Sequence, residues 1–330
     1  MKLSRLMAPL ATGAIFVGSA GWLLSQRNAA ASTTAIVLGV GSPVITAERS
    51  GTSIGVIVAG TMYVFDAGDG VVRRIMEAAP KLAALHVERL GPVFLTHLDP
   101  DHTLGLAGLL YYHNFYGGRL VGTGDTGVPL TIYGPGPVKP PAADREGIGV
   151  SGVVDHLRGA FAQTPFAPGI VGSNLRFSAV VQTTEIEPGV VYQDSHVTVT
   201  AFKVDHKAAI SFGFRIQTAD RLIVISGDTR PVDAVIDACK GCDLLFHEVF
   251  GMDFGAAGPS ARCRDTGEAF FCNGQGHTSA RELGELAQRA RPKQLVVYHS
   301  VQISSEKAFL ETIGKAFSGK VTLARDLDIF

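Results

Sequence analysis

The sequence predicts an α/β fold from three observations. Short β-branched runs recur between turn residues, segments with helical spacing alternate with them, and 46% hydrophobic residues in a 330-residue chain can bury a sizeable core. Lys and Arg number 29 and Asp and Glu 30, for a formal net charge of −1. With no block of like charges, nothing here suggests a general electrostatic grip on nucleic acid.

Lys2 and Arg5 precede an uncharged apolar stretch from Leu6 to Leu24, and small residues run up to Ser32. That pattern reads as an export signal over 1–31, cleaved near Ala31, with an uncleaved membrane anchor as the alternative. The expected location is therefore periplasmic or extracellular, and the expected working domain is 32–330.

From Thr34, three strands are expected in succession: Ala35 to Leu38, Ile54 to Val58 and Met62 to Phe65. Asp66-Ala67-Gly68-Asp69-Gly70 reads as a turn. Val71 to Leu85 then has helical spacing through Val72, Ile75, Met76 and Ala79 until Pro80 interrupts it. Pro92 to Leu95 is a buried strand, and a helix restarts at Thr103. Further strands are expected at Leu130 to Tyr133, Val197 to Val204, Phe212 to Ile216, Leu222 to Ile225, Leu244 to Phe246 and Leu295 to Tyr298. Helices are expected at Pro231 to Ala238, Ser279 to Ala290 and Ser305 to Phe317. No repeat of fixed period is visible, although a two-layer sheet fold of similar halves fits the strand count.

The strand Pro92 to Leu95 runs into Thr96-His97-Leu98-Asp99-Pro100-Asp101-His102, which offers four metal-ligand side chains within one turn. Imidazole and carboxylate hold zinc and harder divalent metals, and a rigid strand end fixes their geometry while leaving positions open. His206, Asp228 and His299 each follow an apolar run and precede a turn. Singly, such residues are usually structural; together they suggest a shared site. Asp-Pro is also a common turn, so Asp99 reads equally as a turn residue. His86, His113, His156 and His196 lack such context. His113 lies among Tyr111, Tyr112, Phe115 and Tyr116, which are either core or the lining of an apolar pocket. The Gly251 to Gly276 segment is a candidate lid. Of the four cysteines, Cys263 with Cys272 is the first expected disulfide and Cys239 with Cys242 the second; a four-Cys zinc site is the least expected arrangement.

The chain resembles the metallo-β-lactamase superfamily, in the branch holding ribonuclease Z and arylsulfatase-type hydrolases. The resemblance runs from about Ala35 to the C-terminus. It rests on Leu38-Gly39-Val40-Gly41-Ser42-Pro43, Phe65-Asp66-Ala67-Gly68, the His/Asp cluster with Thr103-Leu104-Gly105-Leu106, Ser226-Gly227-Asp228-Thr229, Phe246-His247-Glu248-Val249 and Gly276-His277-Thr278-Ser279-Ala280. It implies a four-layer αβ/βα sandwich and two divalent metal ions, zinc first. His97, position 99 and His206 would hold one ion, Asp101, His102 and His299 the other, and Asp228 would bridge them. Asp101, His277 and Glu248 are the candidate catalytic residues, with His277, partnered by Glu248, as proton donor to the leaving group. His277 reads alternatively as a helix-start residue that only caps. The branch normally carries His where this chain has Asp99, and a carboxylate there favours iron or manganese.

Ribonuclease Z members that process transfer RNA carry a protruding arm, in many between the positions matching His206 and Asp228. Here that interval has room only for two strands and their turn. With the balanced charge and the export signal, this predicts hydrolysis of a small sulfate or phosphate ester, with no nucleic-acid partner, membrane contact only through an uncleaved N-terminus, and a homodimer as an allowed state. The alternatives are a ribonuclease Z-type transfer RNA endonuclease, a lactonase or β-lactamase, and a non-catalytic or redox metal protein.

Overall fold

The computed structural model describes residues 32–44, 46–82, 90–113, 129–138, 147–161, 181–206, 209–250, 276–301 and 305–330. The first six strands are β1 (Thr34–Gly39), β2 (Ser53–Val58), β3 (Thr61–Phe65), β4 (Leu90–Phe94), β5 (Leu130–Pro135) and β6 (Val181–Ile186). They form one six-stranded sheet in sequence order. Pairing is antiparallel from β1 to β3 and parallel from β3 to β6. The second sheet has seven strands: β7 (Gly189–Gln193), β8 (Thr198–Lys203), β9 (Phe212–Gln217), β10 (Leu222–Ile225), β11 (Leu244–Phe250), β12 (Gln294–Val301) and β13 (Lys320–Leu323). It repeats the plan, antiparallel to β10 and parallel from β10 to β13. The similar halves expected from the strand count are therefore present.

Helices cover the outer faces. Those beside the first sheet are α1 (Val71–Ala78), the short α2 (Pro100–Thr103), α3 (Leu106–Tyr112) and α4 (Val150–Phe161); those beside the second are α5 (Asp233–Cys239), α6 (Ala280–Ala290) and α7 (Glu306–Gly314). Strand β1 explains the layering, because its apolar run is buried on both faces. Ala35 and Val37 join the core between the sheets with Phe65, Phe94, Phe214 and Phe246, while Ile36 and Leu38 pack outward with Ile75, Leu106 and Val150. A third cluster joins Val224, Leu245 and Val297 to Leu283 and Ile313 of α6 and α7. Three apolar layers separate four layers of structure, as in an αβ/βα sandwich.

The interruption expected at Pro80 is present: the helix from Val71 ends at Ala78 and Pro80 lies in a 3-10 turn over Ala79–Lys81. Other expectations need correction. The helix expected from Thr103 begins earlier, at Pro100, and restarts at Leu106. Cys239 and Cys242 form a disulfide, which rules them out of a four-Cys zinc site. Cys263, Cys272, His86, Phe115, Tyr116, the N-terminal 1–31 and nearly all of the candidate lid lie outside the described residues. Tyr111 is largely exposed, so it is not a core residue. Among the described residues, no helix is long and apolar enough to cross a membrane.

Candidate metal centre

The predicted site residues come from β4, α2, β8, β10, β11, β12 and the start of α6, with Asp99, Asp101 and His102 supplied by α2 and its N-cap, and they meet at one pole, where the strands' carboxyl ends open a crevice. His97 follows β4, His206 follows β8, Asp228 follows β10, Glu248 and His299 lie within β11 and β12, and His277 precedes Ser279, the N-cap of α6. Ser279 and Glu282 form a capping box, so the cap role considered for His277 belongs to Ser279. Two glycines allow the close approaches. At Gly227, with φ of +61°, a Cβ would lie 2.6 Å from the Phe212 carbonyl oxygen; at Gly68 it would lie 2.4 Å from that of Asp101.

Four groups of ligand atoms lie within 4.8 Å of one another: His97, Asp99 and His206; His97, His102 and Asp228; Asp101, His102 and His299; and His206, Asp228 and His277. Asp228 stands between the clusters, with Oδ1 3.4 Å from His102 Nε2 and Oδ2 3.5 Å from His299 Nε2 and 3.9 Å from His97 Nε2. Asp99 occupies the N-cap of α2, yet its side chain accepts no bond from the helix amides. Instead Oδ2 lies 3.5 Å from both His97 Nε2 and His206 Nε2. The turn geometry and the ligand geometry therefore coexist.

For His97, His102 and His206, the far nitrogen sets how the near one faces the cluster. His102 Nδ1 donates to Asp66 Oδ2 at 2.9 Å, and His206 Nδ1 donates to the Gly276 carbonyl at 2.8 Å. His97 Nδ1 lies 3.0 Å from the Thr96 hydroxyl, which itself donates to Asp66. In this arrangement Nε2 of each ring faces the cluster. Asp66, buried and one residue past β3, was read from the sequence only as part of a turn. Its signal was the Phe65-Asp66-Ala67-Gly68 motif, but nothing local indicated that a carboxylate there would reach His102.

The donor set fits divalent cations. Nε2 of His97 and His102 and Oδ1 of Asp228 are buried without a hydrogen-bond partner, which is costly unless something else satisfies them. Burial opposes charge on Asp228, but His299 and His102 outweigh it and hold the carboxyl well below its usual range. His206 and His97 hold Asp99 down likewise. Burial, then the neighbouring His102, keeps His97 neutral, as a ligand must be. Burial also disfavours charge on His102, but Asp228 and Asp66 outweigh it and raise its proton affinity. Anionic oxygens and imidazole nitrogens thus converge on one space where positive charge, from protons or cations, is favoured.

Beside the cluster, His277 Nδ1 donates to Glu248 Oε1 at 3.2 Å and lies 3.8 Å from Asp228. Burial lowers its proton affinity, but Glu248 outweighs that and pushes the imidazole up to about 9. The same Glu248 oxygen accepts the Thr229 and Thr278 N–H groups, which fixes its position. A cavity of about 210 Å³ opens next to Asp99 and Asp101, walled by Pro43, Val44, Arg49 and Leu104.

A four-layer αβ/βα sandwich with a His/Asp cluster at the strand ends defines a class of metallohydrolases. The family described as "Beta-lactamase superfamily domain" matches residues 61–300. Ribonuclease Z of Mycobacterium sp. (strain KMS) is 30% identical over 88% of this chain and 93% of its own length. The metallo-beta-lactamase fold protein YhfI from Bacillus subtilis superposes with a TM-score of 0.64 at 16% identity, covering 90% of this chain and 98% of its own. Human tRNase Z, short form, superposes with a TM-score of 0.59 at 22% identity and the same coverage. The chain belongs to the metallo-β-lactamase superfamily, in its ribonuclease Z branch. Membership carries hydrolytic chemistry and divalent metal ions, typically zinc.

These relatives overturn the small sulfate or phosphate ester reading and the exclusion of a nucleic-acid partner. The short His206 to Asp228 interval misled because the mycobacterial relative matches over 93% of its own length, which leaves no room for an unmatched arm domain. Net charge misled because it sums over all faces, whereas a phosphodiester is gripped locally.

Proposed function

We propose that the chain is an endonuclease of the ribonuclease Z type that hydrolyses a phosphodiester bond in RNA, with transfer RNA precursors as its substrate class. The observation that carries this reading is the near full-length likeness to ribonuclease Z combined with a buried His/Asp cluster at the strand ends. His97, Asp99 and His206 would hold one ion, Asp101, His102 and His299 the other, and Asp228 would lie between them. Divalent ions there would supply Lewis acidity, lowering the pKa of water and polarising a phosphoryl oxygen. The chain's own residues do the rest. Asp66, Thr96 and the Gly276 carbonyl orient the imidazoles. His277, protonated at neutral pH beside Glu248, donates to the departing oxygen, and Glu248 keeps its ring in place. Zinc is the first expectation for the metal. Asp99 gives each ion two imidazoles and a carboxylate besides Asp228, a harder set that also accommodates manganese or iron.

The test is cleavage of a transfer RNA precursor with a 3′ extension, beside an aryl sulfate and a bis-aryl phosphate, before and after chelation. Site-specific RNA cleavage that is lost on chelation and restored by metal supports the proposal. Metal-dependent turnover of the small esters with RNA left intact rejects it.

A further inference from the structure

Arg49 lies in the loop between β1 and β2, apart from every ligand in sequence. Its guanidinium is partly buried, and Nη2 donates to the Val40 carbonyl, to the Ser300 carbonyl at 2.8 Å and to the Ser300 hydroxyl at 3.0 Å. Asp326 secures the same loop, accepting the Val40 N–H at 3.0 Å and the Ser50 N–H at 2.7 Å and pairing with Arg74 at 3.1 Å. A fixed loop thus grips the end of β12 through one charged side chain.

What it grips is the residue after His299, which has a φ of +41°. For a side chain with a Cβ, that left-handed conformation costs about 1–2 kcal/mol and persists only where its surroundings impose it. The strand pairing slips at the same place: His247 faces Val297 and Val249 faces Ser300, so two residues of β12 stand against one of β11. This bulge turns the His299 ring into the cluster, with Nε2 3.1 Å from Asp101 and 3.5 Å from Asp228. His97, His102 and His206 are oriented by bonds at Nδ1. His299 Nδ1 is buried without a partner. With no bond at Nδ1, the ring is directed by its Nε2 contact with Asp101 and by the backbone that carries it, and the Ser300 peptide is the part of that backbone held by a charged donor.

We propose that Arg49 is a positioning residue, which fixes Ser300 and so holds His299 in the left-handed bulge that aims its imidazole at Asp101 and Asp228. The proposal rests on the metal-centre reading for its consequence in activity, but not for the conformation itself.

The experiment compares the full chain with Arg49→Ala, Arg49→Lys and Ser300→Ala. In metal-free protein, the backbone and ring NMR signals of His299 should move strongly in Arg49→Ala and less in Ser300→Ala, which loses only one acceptor. In protein loaded with Co2+, Arg49→Ala should lose about one of two bound ions, or bind it about 10–100-fold more weakly, with a changed visible spectrum. On RNA, kcat should fall with KM nearly unchanged, and Arg49→Lys or added guanidinium should restore part of the loss. Unchanged His299 signals in Arg49→Ala, or in Ser300→Ala should Arg49→Ala not fold, overturn the proposal. So does a rise in KM alone with full metal content, which would make Arg49 a substrate contact. A wild-type protein that binds no metal defeats the metal-centre reading instead, and the NMR comparison still decides the role of Arg49.

Discussion

A carboxylate at position 99 shows how one side chain can satisfy two local rules. Its backbone starts α2, as an Asp before Pro commonly does, while its oxygen lies between His97 and His206. If that oxygen is a ligand, Asp99→Ala should drop metal content from two ions toward one and cut RNA cleavage by about 100-fold or more. Asp99→His should keep two ions and shift selectivity toward zinc. Elemental analysis after dialysis against mixed zinc and manganese reads both, and unchanged stoichiometry in Asp99→Ala would return Asp99 to the role of a turn residue. His277 tests differently, because its part is a proton. In His277→Ala, kcat on RNA should fall by about 10²–10⁴-fold with metal content unchanged, whereas a bis-aryl phosphate, whose leaving group departs without a proton, should slow far less. Equal losses on both substrates would place His277 among the ligands, where its nearness to His206 and Asp228 also allows it to be.

The strands buried on both faces were legible because burial writes a continuous apolar run, as in β1 to β3 and β10, while β8 showed through its alternation of buried and half-buried residues. Edge strands β6 and β7 are half exposed, and their mixed polar sequences left no such trace. Helix α4 was masked by Gly152 and Gly159, which weaken a helical signal. The site's ligands were legible for the same reason as the strands, since each follows a buried run. Asp66 and Arg49 were not, because their partners lie 36 and 251 residues away. The Cys239–Cys242 bond closes the end of α5, with both residues buried under the second sheet's helices. So short a loop is worth about 2 kcal/mol in the chain-entropy account. Cys239→Ser with Cys242→Ser should therefore lower the Tm by several degrees and leave kcat unaltered, since the bond lies in the outer helix layer and not at the site. Such bonds persist in oxidising compartments, so the same cysteines bear on the export expected from residues 1–31. Recovery of the chain from the cytoplasm with free thiols at both positions would reject it.

The two halves of the sandwich are tied at both poles, and the ties differ in kind. At the active pole, the Phe212 N–H donates to the Thr96 carbonyl beside charges that face inward. At the opposite pole, Asp194 in the β7–β8 turn accepts the Tyr63 hydroxyl of the first sheet at 2.6 Å and the Tyr192 hydroxyl at 2.9 Å, along with the N–H groups of His196 and Val197. Burial disfavours its charge, but these donors outweigh burial and hold the carboxyl below its usual value. The group is partly exposed, so solvent tempers the effect. A carboxylate whose folded pKa is depressed stabilises the fold fully above its unfolded pKa, near 4, and loses that contribution as pH falls through the lower folded value. Asp194→Asn keeps the shape and removes the charge, and should cost about 1–2 kcal/mol at pH 7. Urea unfolding of both proteins from pH 7 down to pH 3 should show the gap steady to about pH 5 and narrowing below pH 4, because the wild type surrenders what the variant never had. A gap that stays constant to pH 3 would mean that the tie depends on shape alone, and that the tyrosines hold the far pole by packing.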